Sequence, residues 1–143
     1  MKQYPANSPQ ALSRVVVMMM MVDARLEDGE LEVLDELDAY RMLGISRPEF
    51  AEVFAQYCTD LSLQGNGETV RLVDVERIEA LLEPIRDPGE RLKVCGIVLT
   101  VMGADGDISP AEQAVFRHVT EHWGLSFRDL LEEFERRKHA RMQ

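Results

Sequence analysis

Two apolar stretches constrain this chain more than any other feature: Val15-Val-Val-Met-Met-Met-Met-Val22 and Leu92-Lys-Val-Cys-Gly-Ile-Val-Leu-Thr-Val-Met102. Both are too short for a membrane span, which takes about 20 predominantly apolar residues. The first, with Lys2 and Arg14 upstream, imitates the apolar region of a signal peptide. Its recurrence deep inside the chain marks both stretches as core helices instead. A helix that is apolar nearly all round has to be covered on most sides. Other helices must therefore wrap these two.

Each stretch runs into an acidic turn, and a shift of 77 residues lays Asp28-Gly-Glu-Leu31 on Asp105-Gly-Asp-Ile108. Both copies then close on a glycine, an aliphatic residue and a serine, Gly44-Ile-Ser46 and Gly124-Leu-Ser126. A repeat of two units points to pseudosymmetric halves, since a solenoid needs at least about three. Strand signals are poor, with 6% aromatic residues and little apolar alternation. Helix starts are dense. Ser46-Arg-Pro-Glu49, Asp87-Pro-Gly-Glu90 and Ser109-Pro-Ala-Glu112 fit the capping box, and Ser8-Pro9 and Ser126-Phe-Arg-Asp129 are looser versions. Pro88 and Pro110 fall at the first helical position, where the missing N–H costs nothing. These signals predict seven helices, at roughly 9–25, 31–43, 47–63, 74–85, 88–104, 110–123 and 127–140. The fold class expected is all-α, with two pseudosymmetric halves around two buried apolar helices. Residues 1–143 form one domain in this reading, with the internal repeat at about 11–46 and 88–126.

Composition narrows the function classes. The 16 Lys+Arg and 26 Asp+Glu give a net charge of −10, which phosphate backbones repel, so nucleic acid is excluded as a general partner. Cations and basic proteins remain. Cys58 and Cys95 are far apart and show no CxxC or Cys/His spacing, which argues against a zinc site or a disulfide framework and suits a reducing cytoplasm.

The acidic turns are the candidate site. Carboxylates at Glu27, Asp28 and Glu30, and at Asp105 and Asp107, lie where helix C-termini expose carbonyls, and Glu112 follows the second turn in the next helix. Gathered together, such oxygens hold a hard cation, Ca²⁺ or Mg²⁺. The ordinary alternative is a solvated turn, because Asp-Gly is a common turn dipeptide. An EF-hand fails: with Asp105 at loop position 5, Val101 and Gly103 fall where the first and third ligands belong, as Ala24 and Leu26 do in the first copy. Glu112 points toward the apolar side of its helix, between Val119 and Trp123, as a partly buried ligand or as the returning carboxylate of a capping box. His118 and His122, four apart, have a spacing that can seat two imidazoles on one metal, though Val119 stands where an HExxH motif needs glutamate. Interface histidines are the simpler reading. Met18 to Met21 face four directions and cannot converge on one ion, so they are gap-filling core. No nucleophile–base pair or phosphate loop stands out, and a non-enzyme is expected. The chain ends in Arg136-Arg-Lys-His-Ala-Arg141, a basic stretch over 135–143 that complements a helix C-terminus or contacts an acidic partner or anionic membrane surface.

In combination, Ile85-Arg-Asp-Pro-Gly-Glu-Arg91, Gly103-Ala-Asp-Gly-Asp-Ile-Ser-Pro-Ala-Glu112 and Gly124-Leu-Ser126, with the weaker first copy, resemble the TerB-like domain of tellurite-resistance proteins. The resemblance spans roughly Ala11 to Phe134. It implies an all-α fold of two halves and a non-catalytic binding or scaffold role in bacterial stress or tellurite resistance. Similar domains stand at the N-terminus of membrane-anchored J-protein co-chaperones, where they act in interaction or self-association. It also implies divalent-cation binding through Asp28, Glu30, Asp105, Asp107 and Glu112, although the first copy has only Glu32 or Asp35 to match Glu112. A protein partner is expected, without nucleic acid or membrane insertion. Peripheral membrane contact and a homodimer are compatible with the same reading.

Overall fold

The computed structural model describes residues 3–21, 39–65, 75–102, 110–126 and 128–130, with Glu132 and Glu135. Six helices have described bounds: α1 (Pro9–Met20), α2 (Ala39–Leu43), α3 (Arg47–Gly65), α4 (Val75–Leu82), α5 (Pro88–Met102) and α6 (Pro110–Trp123). Residues 128–130 are again helical. No strand occurs among the described residues, and the all-α expectation holds.

The starts of α1, α3, α5 and α6 fall where the capping signals place them. Ser8 caps α1, its Oγ accepting from Ala11 N at 3.2 Å. Ser46 Oγ accepts from Glu49 N at 3.2 Å, and its hydroxyl donates to Glu49 Oε1 at 2.7 Å. Asp87 Oδ1 accepts from Gly89 N and Glu90 N at 2.8 and 3.3 Å. The returning half of that box is absent for a clear reason. Glu90 pairs with Lys93 at 2.7 Å, and the Asp87 amide instead donates to Asn7 Oδ1 at 2.9 Å. The looser signal at Ser126 forms the complete reciprocal box, with Asp129 N on Ser126 Oγ (3.1 Å) and Ser126 N on Asp129 Oδ2 (3.2 Å). Ends differ more from expectation. The α4 helix stops at Leu82, short of residue 85, because Pro84 disfavours helical backbone at the residue before it. The α1 helix closes at Met20 with Met21 as its cap.

Helix α1 is the hub. Ala11 to Met20 are buried without interruption, and α1 packs against α2, α3, α4, α5 and α6. Helix α5 lies beside it, buried at Val94, Cys95, Ile97, Val98 and Val101, and α6 packs against both. The methionines Met18, Met19 and Met20 are core, as expected. Two corners take the same path. Gly44 (φ 78°) and Gly124 (φ 69°) occupy the left-handed region that ends a helix, and the following Ile45 and Leu125 amides reach back to Tyr40 O and Thr120 O at 2.9 Å each.

One contact joins the starts of the two apolar helices. Asn7, at φ 57°, accepts from Arg86 N (2.8 Å) and Asp87 N (2.9 Å) through Oδ1, and its own amide donates to Pro84 O at 2.8 Å. Asparagine tolerates this left-handed backbone better than most side chains. A single residue before α1 thus fixes the segment that opens α5.

Candidate functional site

Of the acidic turn residues, Asp28, Glu30, Asp105 and Asp107 lie outside the described residues, as do Glu32, Asp35, Ser109 and the basic stretch from Arg136. Glu112 is described. It sits in the first turn of α6 and is 6% exposed, on the same buried stripe as Val115, Val119 and Trp123. The orientation expected from helical periodicity is therefore observed.

His118 and His122 occupy the flank of that stripe, and they meet a carboxylate on α4. His118 Nε2 lies 3.3 Å and His122 Nδ1 3.9 Å from the same atom, Glu79 Oε1. The imidazole rings are nearly parallel, inclined by 22° with centroids 6.2 Å apart. The pair is thus an interface pair, and what it faces is a single carboxylate. His118 Nε2 is shielded from solvent yet has no hydrogen-bond partner, because the approach to Glu79 lacks hydrogen-bond geometry. Trp123, at the end of the same helix, carries the Arg91 guanidinium 5.6 Å from its ring centre, and Arg91 Nε donates to Ile85 O at 2.8 Å.

A second feature involves the N-terminal segment and α3. An open groove of about 760 Å³ runs between the N-terminal segment and α3, lined by Tyr4, Gln10, Glu49, Glu52, Gln56 and neighbouring residues, with no lysine or arginine among the described lining. The Tyr4 ring forms one wall and carries the Arg14 guanidinium 4.7 Å from its centre. Arg14 is itself 3% exposed on α1. Burial lowers its pKa, opposed by Tyr4, Asp60 and Tyr57 around it. Burial likewise raises the phenols of Tyr4 and Tyr57, the latter opposed by Arg77. Sequence patterning did not reveal this groove, because one of its walls is non-helical chain without periodicity.

These elements define a class of protein, a small all-α domain organised on one buried helix. The chain belongs to the tellurite resistance protein TerB family, whose model matches residues 9–133. Among solved structures, it is similar to a crystal structure of a protein of unknown function, PG1108 from Porphyromonas gingivalis W83. That likeness has a TM-score of 0.57 at 18% identity, covering 96% of this chain and 95% of the other. At that identity it speaks to the fold alone. No curated protein matches the chain. Among the described residues no helix is long and apolar enough to cross a membrane.

Proposed function

We propose that this TerB-family chain is a non-catalytic, cytoplasmic interaction domain of a tellurite-resistance or stress system, and that the groove beside α3 receives a basic segment of a partner protein. The groove itself supports the reading. Two carboxylates, Glu49 and Glu52, stand in a concave surface with amide side chains and one aromatic wall, on a chain of net charge −10. Complementary charge of this kind steers encounter and fixes register more than it adds affinity. The test titrates a short Lys/Arg-rich peptide while amide NMR signals are followed. Shifts are expected at Tyr4, Glu49, Glu52 and Gln56, and Glu49→Gln with Glu52→Lys weakens binding about tenfold. Charge reversal at Glu132 and Glu135 leaves it unchanged. Shifts spread evenly over the acidic surface defeat the reading.

The burial of Glu112 favours a second reading, in which the acidic turns hold Ca²⁺ or Mg²⁺ and a dedicated metal-binding protein results. Thermal melts in chelator and in millimolar Ca²⁺, Mg²⁺ and Mn²⁺ test it, because an ion bound only by the folded state raises the melting point. The rise must disappear in Asp105→Asn with Asp107→Asn. No rise with any of the three ions ends this reading.

A further inference from the structure

We propose that Glu79, His118 and His122 form a second kind of metal site, one for a borderline transition ion such as Zn²⁺, Ni²⁺ or Cu²⁺, which clasps α4 to α6. The donors come from two helices and face one another, since both imidazole nitrogens lie within 4 Å of Glu79 Oε1. Zinc binds histidine nitrogen and carboxylate oxygen at about 2.0–2.2 Å, so two ligands on a tetrahedral ion stand about 3.3–3.5 Å apart. The His118–Glu79 separation of 3.3 Å already has that length. The 3.9 Å at His122 exceeds it by roughly half an ångström. As they stand, no three His, Cys, Asp or Glu side chains among the described residues are grouped to hold an ion, so binding requires these three side chains to move together. Side chains between a third and just under a half exposed have the freedom to make that movement, and they leave a side open for water as the remaining ligand.

The state of His118 is an independent pointer. Its Nε2 is excluded from solvent, faces a carboxylate oxygen and makes no hydrogen bond. A shielded ring nitrogen beside an anionic oxygen is stabilised by a cation between them, a proton or a metal ion. Imidazole selects zinc, copper and nickel, whereas calcium and magnesium prefer oxygen alone. This site is therefore separate in residues and in metal class from the acidic turns.

The test uses the full chain and Zn²⁺ as the probe. Calorimetric titration at about pH 7.5 is expected to show one saturable site, with a higher melting temperature at saturation. Lowering the pH to about 5.5 removes binding, because protons compete with metal for imidazole. His118→Gln with His122→Gln abolishes binding, with circular dichroism in chelator confirming that the variant is folded. Should that variant fail to fold, His122→Gln alone must weaken binding by at least the roughly tenfold that loss of even an outer partner costs. Glu79→Gln must weaken it by at least as much. Millimolar Mg²⁺ does not displace the ion, and neither His139→Ala nor Asp105→Asn with Asp107→Asn changes the affinity. Absence of saturable binding overturns the proposal. So does binding that survives either the histidine variant or Glu79→Gln, since the ion then sits elsewhere or on α6 alone.

Discussion

Helices α1 and α5 carry the same apolar signature, yet the fold covers them unequally. Along α1 every side chain from Ala11 to Met20 is buried, including Ser13 and Arg14. Along α5, Arg91, Leu92, Lys93, Leu99 and Thr100 are only half-buried. The difference follows from neighbours, because α1 meets all five other bounded helices while α5 packs chiefly on α1 and α6. Apolar composition therefore states how much surface a helix needs covered, and topology decides how much cover it receives. Arg14 sharpens the point. The hub position buries a guanidinium that composition alone would leave in solvent, and Tyr4, Tyr57 and Asp60 gather round it.

The inequality predicts unequal costs. Met19→Ala in α1 is expected to destabilise by about 2–5 kcal/mol, as large-to-small changes at buried positions do. Leu99→Ala, on the half-buried flank of α5, is expected to cost only about 1 kcal/mol. Urea midpoints at constant slope compare the two. Equal losses would show that the second apolar helix is covered as completely as the first.

The second prediction concerns what the two helices share. Asn7 holds the segment ahead of α5 by two accepted hydrogen bonds and adopts a left-handed backbone. Asn7→Ala removes both bonds and adds backbone strain, for a loss of about 1–2 kcal/mol given their exposure. Asn7→Asp, which keeps an acceptor and tolerates the backbone, is expected to recover most of it. An unaltered denaturation midpoint in Asn7→Ala would mean that the two starts are aligned by core packing alone.

Much of this architecture was legible in the residues. Proline at the first helical position marks the starts of α5 and α6, and Asp87 caps α5, because these act through the local backbone. The bounds of α6, 110–123, match the expectation at both ends. Contacts between distant segments were not legible. Asn7 reaches residues 79 and 80 positions away, and no local pattern marks an asparagine for that role. The candidate site divides in the same way. Spacing alone singled out His118 and His122, whereas Glu79 became visible only when α4 was seen against α6. Glu112 was legible as an inward carboxylate because one helix's periodicity suffices to aim it.

A smaller effect tests the two matching corners. Gly44→Ala and Gly124→Ala each force a Cβ into the left-handed region, at about 1 kcal/mol. The added Cβ at Gly124 has nothing within 4 Å, whereas at Gly44 it meets Pro9 Cγ at 3.6 Å, an ordinary contact. Gly44→Ala is therefore expected to lose slightly less, by a few tenths of a kcal/mol. A markedly larger loss at Gly44 would show that the corner cannot give against the start of α1.

The last prediction vanishes at neutral pH and appears only in alkali. Cys95 lies on the buried side of α5, and burial pushes its thiol from an ordinary 9.0 up to about 12. Its folded pKa is raised, so the unfolded chain loses this proton first. The stabilising contribution is full below pH 9 and is lost as pH rises toward 12. Cys95→Ala is expected to flatten that part of the stability profile relative to the parent chain. Thiol labelling supplies a direct comparison at about pH 8, where thiolate is the reactive form. Cys58, half-buried on α3, should react in the folded protein, while Cys95 should wait for unfolding. Rapid labelling of Cys95 under native conditions would mean that α5 opens readily beside a hub that stays closed. The inequality between the two apolar helices would then extend from burial to dynamics.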